Sequence, residues 1–394
     1  MKPLRQPAFP FVIAGVLAAC GGRTPPAPVS PPETGSEAGR TAPLPSRNFL
    51  NVSSFPMNRL ISGGVAKDGI PALTDPEFVR AGSAHAAYLQ DGDLVLGVSL
   101  DGAARAYPHN IGWHHEIVND AAGDRHLVVT LCPLTGTGMV FDGQGEGNGR
   151  LELGVSGLLF NNNLVMYDRR FEDTLYPQMT HIGIRGYGTE QELTLMPVVE
   201  TTWANWKRLH PGTLVVSSAS TGMYRPERYS TYPYTGYREP ASAPMFPLFP
   251  DPDDNPIVFD LPPKEIVLGV RFGTVAKAYP FSKMGDDRAV INDRIADRNV
   301  LVVYDAAARM ALAYSRDLGN RTLTFERVGS RDRRFDFMVR DLETGTTWDL
   351  LGRALAGELE GRPTLSDPRA QRILVRLGHL LAGHRGLRTL NAVR

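Results

Sequence analysis

The chain has 394 residues and carries 42 basic side chains (Lys and Arg) against 42 acidic ones (Asp and Glu), so its formal net charge is zero. A chain without excess positive charge lacks the broad basic field through which proteins neutralise phosphates, and we therefore expect no nucleic-acid partner. Hydrophobic residues make up 42% of the chain, enough to fill two cores of ordinary size, whereas its 2 cysteines cannot build a disulfide framework.

The N-terminus predicts export and lipidation. Two basic residues precede an apolar run at 9–19, which is too short to cross a bilayer as a helix. Small residues then lead to Cys20, as in the processing site of a bacterial lipoprotein. We predict a signal peptide at 1–19 and a lipid on Cys20 that anchors the mature protein to an envelope membrane, facing the periplasm. Because Gly21 and not Asp follows Cys20, an outer-membrane destination stays open.

The lipidated cysteine is followed by a predicted flexible tether, so that residues 20–47 form one segment. It is rich in Pro, Ser, Thr, Gly and Ala and contains almost no large apolar side chains. Such a segment buries too little surface to offset the entropy of ordering it.

The next part of the chain is predicted to consist mainly of short strands. Their β-branched content places them at 125–132, 139–141, 151–154 and 164–167, with a turn at 161–163. Residues 108–118 and 203–209 are predicted to be short helices.

Motifs of this region recur later at a nearly constant offset. The run Val-Leu-Gly-Val begins at Val95 and again at Val267, and Asn119-Asp120 recurs as Asn292-Asp293. We interpret this as an internal duplication and predict an α+β, strand-dominated fold with two similar halves. The predicted division is a first module at 48–226, a Pro- and Tyr-rich connection at 227–263, and a second, degenerate module at 264–394.

The two copies separate scaffold residues from candidate site residues. Four residues that recur in both copies are interpreted as structural, with the Asn-Asp pair closing a turn: Tyr107, Pro108, Asn119 and Asp120. Chemically capable side chains that occur in the first copy alone are candidates for a site: His109, His114, His115, Glu116 and Cys132.

Cys132 is the most informative of these candidates. If Cys20 is lipidated, Cys132 is the remaining thiol in a compartment where thiols commonly form disulfides, so it should be buried, metal-bound or reactive. It opens a loop in which Thr135, Gly136 and Thr137 have the composition to present amide donors to an anion.

Three functions remain open from these residues. We place first a metal site, with copper or zinc held by Cys132, His109, His114 and His115. The alternative enzyme uses Cys132 as a nucleophile with a histidine such as His115 as base, assisted by Glu116. The third possibility is an envelope protein with a non-catalytic binding or scaffold role, whose small-molecule or protein partner the sequence does not identify.

Several ordered motifs resemble one known family, the bacterial and archaeal domain-of-unknown-function family numbered 3179. They are Ala-Arg-Ala-Tyr-Pro from 104, His-Glu-Ile-Val-Asn-Asp from 115, Cys-Pro-Leu from 132, Val-Ser-Gly-Leu-Leu from 155 and Met-Tyr-Asp-Arg from 166. The resemblance covers roughly residues 61–361 and implies an exported setting, but no particular activity.

The sequence departs from the family pattern in two places. Many members have Cys-Pro-Leu-Cys where this chain ends the motif with Thr135, which excludes dithiol exchange here. The C-terminal segment, 369–394, is basic where members tend to be rich in Trp and Phe. We predict a helix in this segment, either solvated or lying on anionic lipid.

Overall fold

The computed structural model describes residues 52–362, with gaps at 101, 146–148, 221, 223, 247, 249–260 and 273–274, together with Leu365 and the backbone of 371–376 and 388–389. The predicted signal peptide, Cys20 and the tether lie outside the described residues. We call the described residues up to 246 the N-terminal part and those from 261 onward the C-terminal part.

Strands dominate the described residues, which confirms the predicted strand-dominated α+β class. The strands of the N-terminal part are β1 (Ile61–Ser62), β2 (Leu73–Thr74), β3 (Phe78–Arg80), β4 (Leu94–Leu100), β5 (Ala103–Pro108), β6 (Ile117–Ala122), β7 (Arg125–Cys132), β8 (Thr137–Asp142), β9 (Leu153–Phe160), β10 (Asn163–Asp168), β11 (Leu175–Pro177), β12 (Val199–Thr202) and β13 (Leu214–Val216). Those of the C-terminal part are β14 (Ile266–Phe272), β15 (Val275–Pro280), β16 (Arg288–Ile295), β17 (Arg298–Asp305), β18 (Met310–Ser315), β19 (Asp317–Leu318), β20 (Arg321–Thr322), β21 (Phe325–Gly329), β22 (Phe337–Asp341), β23 (Thr347–Trp348), β24 (Ala354–Ala356), β25 (Gln371–Arg376) and β26 (Arg388–Thr389).

The helices are short. The α-helices are α1 (His109–His115) and α2 (Trp203–Leu209), and single 3-10 turns lie at Val52–Ser54, Met57–Arg59, Ala84–Ala86, Pro226–Ser230 and Phe281–Lys283. Within the described ranges, none of the helices has the length and apolar character needed to cross a membrane.

Three sheets build the N-terminal part, with strand orders β12-β4-β5-β13-β3, β2-β6-β7-β8 and β1-β9-β10-β11. Strand β7 is buried from Leu127 to its end at Cys132, and α1 packs against it. The approach is close because Gly112 has no side chain: a Cβ there would lie 2.5 Å from a methyl carbon of Leu131. This contact brings the C-terminal end of α1 next to the end of β7.

The predicted elements agree with the structure in part. Strand β7 and helix α2 have the predicted bounds, whereas α1 ends at His115 and not at Val118. The helix stops early because the next residue adopts a left-handed backbone conformation. The predicted turn at Asn119 and Asp120 is wrong, since both residues lie inside β6.

Four sheets form in the described residues of the C-terminal part, with orders β25-β14-β15-β26, β16-β17-β18, β19-β20 and β21-β22-β23-β24. The helix predicted at 369–394 is wrong where the backbone is described: β25 pairs antiparallel with β14, and β26 pairs parallel with β15. Backbone pairing with an existing sheet explains why a β-branched stretch there forms a strand in spite of its basic side chains.

An asparagine braces neighbouring sheets at one place in each part. The side chain of Asn119 donates to the main-chain O of Leu153 at 3.0 Å and accepts from its N at 2.9 Å. Asn292 makes the same pair of bonds with Phe325, at 2.7 and 2.8 Å.

Candidate functional site

The end of α1 places Glu116 in a strained backbone conformation. Its φ is 58° and its ψ is −35°, and its main-chain N closes the helix by donating to Gly112 O at 2.9 Å. The main-chain O of Glu116 then accepts from Leu131 N at 2.7 Å, which ties this position to β7. Helices commonly place Gly at such a left-handed cap, and a residue with a side chain costs about 1–3 kcal/mol there.

The carboxyl group of Glu116 is buried without a partner. The residue is 7% exposed, and its side chain makes no hydrogen bond with the residues that the structure describes. Burial raises its pKa from 4.5 to about 8, because an apolar surrounding disfavours the charged form. At neutral pH the group is therefore mainly a neutral carboxylic acid.

The thiol of Cys132 lies at the end of β7 beside this acid. The residue is 1% exposed, and its Sγ donates to the main-chain O of Asn162 at 3.5 Å. Burial raises the pKa of the thiol to about 11, and the negative charge of Glu116 adds to the shift. Hydrogen bonds from the hydroxyl and N–H of Thr135 and from the N–H of Leu164 act in the opposite direction.

A strap, which we define as residues 224–246, covers the loop that follows Cys132. The hydroxyl of Tyr232 donates to Pro133 O at 3.0 Å, and the main-chain N of Phe246 donates to Asn162 Oδ1 at 2.8 Å. The strap thus contacts the residues on two sides of the buried thiol.

Tyr234 of the strap lies near enough to the acid and the thiol for their charges to affect its pKa. Its pKa is raised to about 12, first by burial and then by the negative charges of Glu116 and Cys132. Three neighbouring ionisable groups therefore all favour their neutral forms at pH 7.

The histidine predicted as a base, His115, is engaged elsewhere. Its Nδ1 lies 2.8 Å from the main-chain O of Pro71, which can only accept, so Nδ1 carries the proton. Its Nε2 consequently accepts from the hydroxyl of Tyr229 at 2.9 Å. The ring is fully buried, and burial lowers its pKa from 6.5 to about 4. His115 is therefore neutral, and its bond to Tyr229 attaches α1 to the strap.

The other two predicted histidines also bind separate partners. His114 Nε2 lies 3.1 Å from Arg228 O and 3.3 Å from Thr231 O, both on the strap, and burial lowers its pKa. His109 Nε2 lies 3.4 Å from Glu200 Oε1. Within the described ranges, no three His, Cys, Asp or Glu side chains are placed to share one metal ion, so the predicted copper or zinc site has no support in the geometry.

The loop predicted to bind an anion uses its donors internally. The main-chain N of Gly136 donates to Cys132 O at 2.9 Å, and Thr137 pairs with Cys132 across the β7–β8 hairpin. The hydroxyl of Thr137 donates to that of Thr135 at 2.8 Å. These groups shape the loop around the sulfur and leave no cluster of amides facing outward.

The residues predicted to be structural lie behind the site. Pro108 ends β5 and precedes α1. The hydroxyl of Tyr107 donates to Asp120 Oδ2 at 2.5 Å, and Arg105 forms an ion pair with the same carboxylate. This network connects β5 to β6 and so fixes the direction in which α1 leaves the sheet.

Sequence reasoning missed Asn162, Asn163, Gln178 and Tyr234. The asparagines lie in or at the end of the turn predicted at 161–163. The run of three asparagines was the available signal that their side chains make specific contacts. Gln178 and Tyr234 lie far from Cys132 in the chain and carried no such signal.

The fold and the site together define a strand-dominated α+β protein with a thiol and a carboxylic acid buried under a polypeptide strap. A family model described as a protein of unknown function (DUF3179) matches residues 67–374, and the chain belongs to this family. The match confirms the resemblance in the sequence motifs. Comparison with curated proteins and with solved structures gave no match.

Proposed function

We propose that the protein is a thiol-dependent enzyme in which Cys132 is the nucleophile and Glu116 accepts the proton of its thiol. The observation that carries this proposal is the buried, unpartnered carboxyl of Glu116 on a strained backbone beside the sulfur. Burying a carboxyl without a partner costs free energy, and so does the strain. Groups held at such a cost occur preferentially at active sites.

The pKa of Glu116 fits a proton acceptor for a thiol. A carboxylate with a pKa of about 8 is a much stronger base than an ordinary one, and its ionised fraction rises about tenfold per pH unit below pH 8. The thiol proton passes to the carboxylate while sulfur forms a bond to an electrophilic atom. The leaving group then departs with that proton, which returns Glu116 to its carboxylate form.

We assign the role of base to Glu116 and not to a histidine because the three candidate histidines bind other partners. Both ring nitrogens of His115 are bonded, to Pro71 and Tyr229, while Glu116 acts directly on the pKa of Cys132. We assign His115 to holding the strap.

The alkylation rate of Cys132 by iodoacetamide tests the proposed proton transfer. If the carboxylate only repels the thiolate, Glu116→Gln lowers the thiol pKa and speeds alkylation. If Glu116 accepts the proton, the variant is expected to react about tenfold or more slowly at pH 8, because general-base catalysis contributes at least about that factor.

Glu172→Gln is the control, since Glu172 is an exposed residue paired with Lys67 on the surface. It should leave the rate unchanged. Faster alkylation of Glu116→Gln would refute the base role, and an unreactive Cys132 at every pH would favour a scaffold or binding protein.

We also propose that the protein is a lipoprotein of the cell envelope, anchored through Cys20 and facing the periplasm. The support is the order of basic residues, a short apolar run and small residues before Cys20. The proposed arrangement keeps the signal peptide at 1–19 and the tether at 20–47.

Replacing Cys20 by Ser is expected to abolish both processing and membrane retention. Mass spectrometry of the N-terminal peptide and fractionation of the expressing cells measure the two effects. Cys132→Ser is the matched control and should leave both unchanged. Retention and an unmodified N-terminus in the wild-type chain would contradict lipidation.

We further propose that modules at 48–226 and 264–394 arose by duplication, joined by the connection at 227–263. The same strand pairing in both parts supports this: β4 pairs with β5 in the register Val95↔Pro108, and β14 pairs with β15 in the register Val267↔Pro280. The bracing asparagines and the Tyr–Asp bond, which Tyr279 and Asp293 form at 2.7 Å, add to it.

A further inference from the structure

A buried network of hydroxyl and amide groups ends at the sulfur of Cys132. Each member is at most 4% exposed: Thr130, Thr135, Thr137, Asn163 and Gln178. The network joins β7, β8, β10 and the residue after β11, so it connects two sheets at the base of the site.

Main-chain groups fix the orientation of both amides. Gln178 Nε2 lies 3.0 Å from the main-chain O of Thr137, which can only accept, so this atom is the nitrogen. Asn163 Oδ1 accepts from the main-chain N of Met179 at 3.2 Å. The Nδ2 of Asn163 therefore faces Gln178 Oε1 at 2.8 Å and Thr135 Oγ1 at 3.1 Å, and it donates to both.

The hydroxyl of Thr135 has one remaining direction for its own proton. Its oxygen accepts from Asn163 and from Thr137 at 2.8 Å, which occupies both of its acceptor positions. Its O–H is then left to donate to Cys132, and hydrogen bonding by this hydroxyl and by the main-chain N–H groups of Thr135 and Leu164 lowers the pKa of the thiol. These three donors are all neutral.

The C-terminal part keeps the turn but lacks the network. In the proposed alignment of the modules, Asp305 takes the place of Cys132 and Ala308 that of Thr135. The main-chain N of Ala308 donates to Asp305 Oδ1 at 3.0 Å, but Ala308 has no hydroxyl. Asp336 stands where Asn163 would be and pairs with Arg208. The hydroxyl donor is therefore present in the part that has the thiol and absent at the aligned position of the part that lacks it.

We propose that this network orients the Thr135 hydroxyl as a catalytic donor that stabilises the Cys132 thiolate, with Asn163 and Gln178 as positioning residues. The inference rests on the proposed function and adds a substrate class to it. Because these donors are neutral, the site holds one uncompensated negative charge, on Glu116 before the proton transfer and on the sulfur during it, and an anionic reacting group would be repelled. The site suits an electrophile whose reacting group is uncharged.

The experiment uses the full chain with Cys20→Ser, in which Cys132 is the single thiol. Thr135→Val keeps the shape of the side chain but removes the donor, and Thr135→Ser restores it. Thr201→Val is the matched control: it removes a fully buried hydroxyl outside the network, which donates to Ala308 O at 2.8 Å. Circular dichroism verifies that each variant is folded.

We expect Thr135→Val to slow alkylation by iodoacetamide about tenfold at a given pH, the effect of one hydrogen bond to a charged group. Thr135→Ser and Thr201→Val should stay within about twofold of the parent chain. The infrared S–H band, which reports bonding at sulfur without any electrophile, should shift only in Thr135→Val. Iodoacetate should react with the parent chain more slowly, relative to iodoacetamide, than it does with free cysteine.

An unchanged band and rate in Thr135→Val would overturn the donor role, as would equal effects of Thr201→Val. If the ratio of the iodoacetate rate to the iodoacetamide rate were the same for Cys132 and for free cysteine, the proposed substrate class would be wrong. Because the band needs no reaction, it tests the network even if Glu116→Gln shows that the proposed proton transfer is wrong.

Discussion

Replacing Glu116 by Gln is expected to stabilise the protein by an amount that grows with pH. The folded protein holds the carboxyl proton up to about pH 8, whereas the unfolded chain releases it near pH 4.5. The stability associated with the neutral acid is therefore complete below pH 4.5 and is lost as the pH rises to 8. The expected slope of the difference is on the order of 1 kcal/mol per pH unit across this window.

Urea denaturation of both chains at several pH values from 4 to 9 measures this difference. Below pH 4.5 the neutral acid and the amide are nearly isosteric, so the two curves should converge. Glu172→Gln, on the surface, should show no comparable growth with pH. A constant difference between Glu116→Gln and the parent chain would show that the carboxyl titrates normally and would remove the basis for its role as a base.

Replacing Tyr229 by Ala is expected to release the strap and expose Cys132. The ring of Tyr229 is fully buried, and its hydroxyl bonds to His115. Removing a buried aromatic ring costs about 3–5 kcal/mol, and it also leaves His115 Nε2 without its donor. We expect Cys132 to be alkylated at least about tenfold faster in this variant, since a loss of that size shifts local opening strongly.

Global unfolding would also expose the thiol, so the comparison needs a variant that is destabilised elsewhere. Trp348→Ala removes another fully buried aromatic ring, in the C-terminal part. Unfolding free energies and alkylation rates are measured for both variants. Local release of the strap predicts faster alkylation of Tyr229→Ala than of Trp348→Ala at equal stability, whereas equal rates would mean that the strap does not open independently. Tyr229→Phe should cost only about 1 kcal/mol.

Local patterns in the sequence predicted much of the scaffold. Strand β7 and helix α2 follow from periodicity and β-branched content over a few residues, and both have the predicted bounds. The family and the strand-dominated class also follow from short motifs. The helix predicted at 369–394 is wrong at 371–376 and 388–389, because pairing with β14 and β15, a long-range contact, determines the backbone at those residues.

The identity of the group next to Cys132 could not be predicted in the same way. His115 and Glu116 are neighbours in the chain, and the sequence predicted that the helix continues past both of them. The helix instead ends at Glu116, which has a positive φ and affects the pKa of Cys132, while His115 bonds to the strap. That difference depends on where α1 ends, and the packing of Gly112 on Leu131 and the bond from Leu131 N fix that point.

The strap is held at both ends, which affects how the site opens. On one side it follows β13, and on the other the main-chain N of Lys264 donates to Pro240 O at 3.1 Å. A segment restrained in this way cannot diffuse away, so its effective concentration at the site stays high and reclosure is rapid. Cys132 would be exposed only in brief intervals, and a bulky oxidant or a foreign disulfide would seldom reach it before the strap returned.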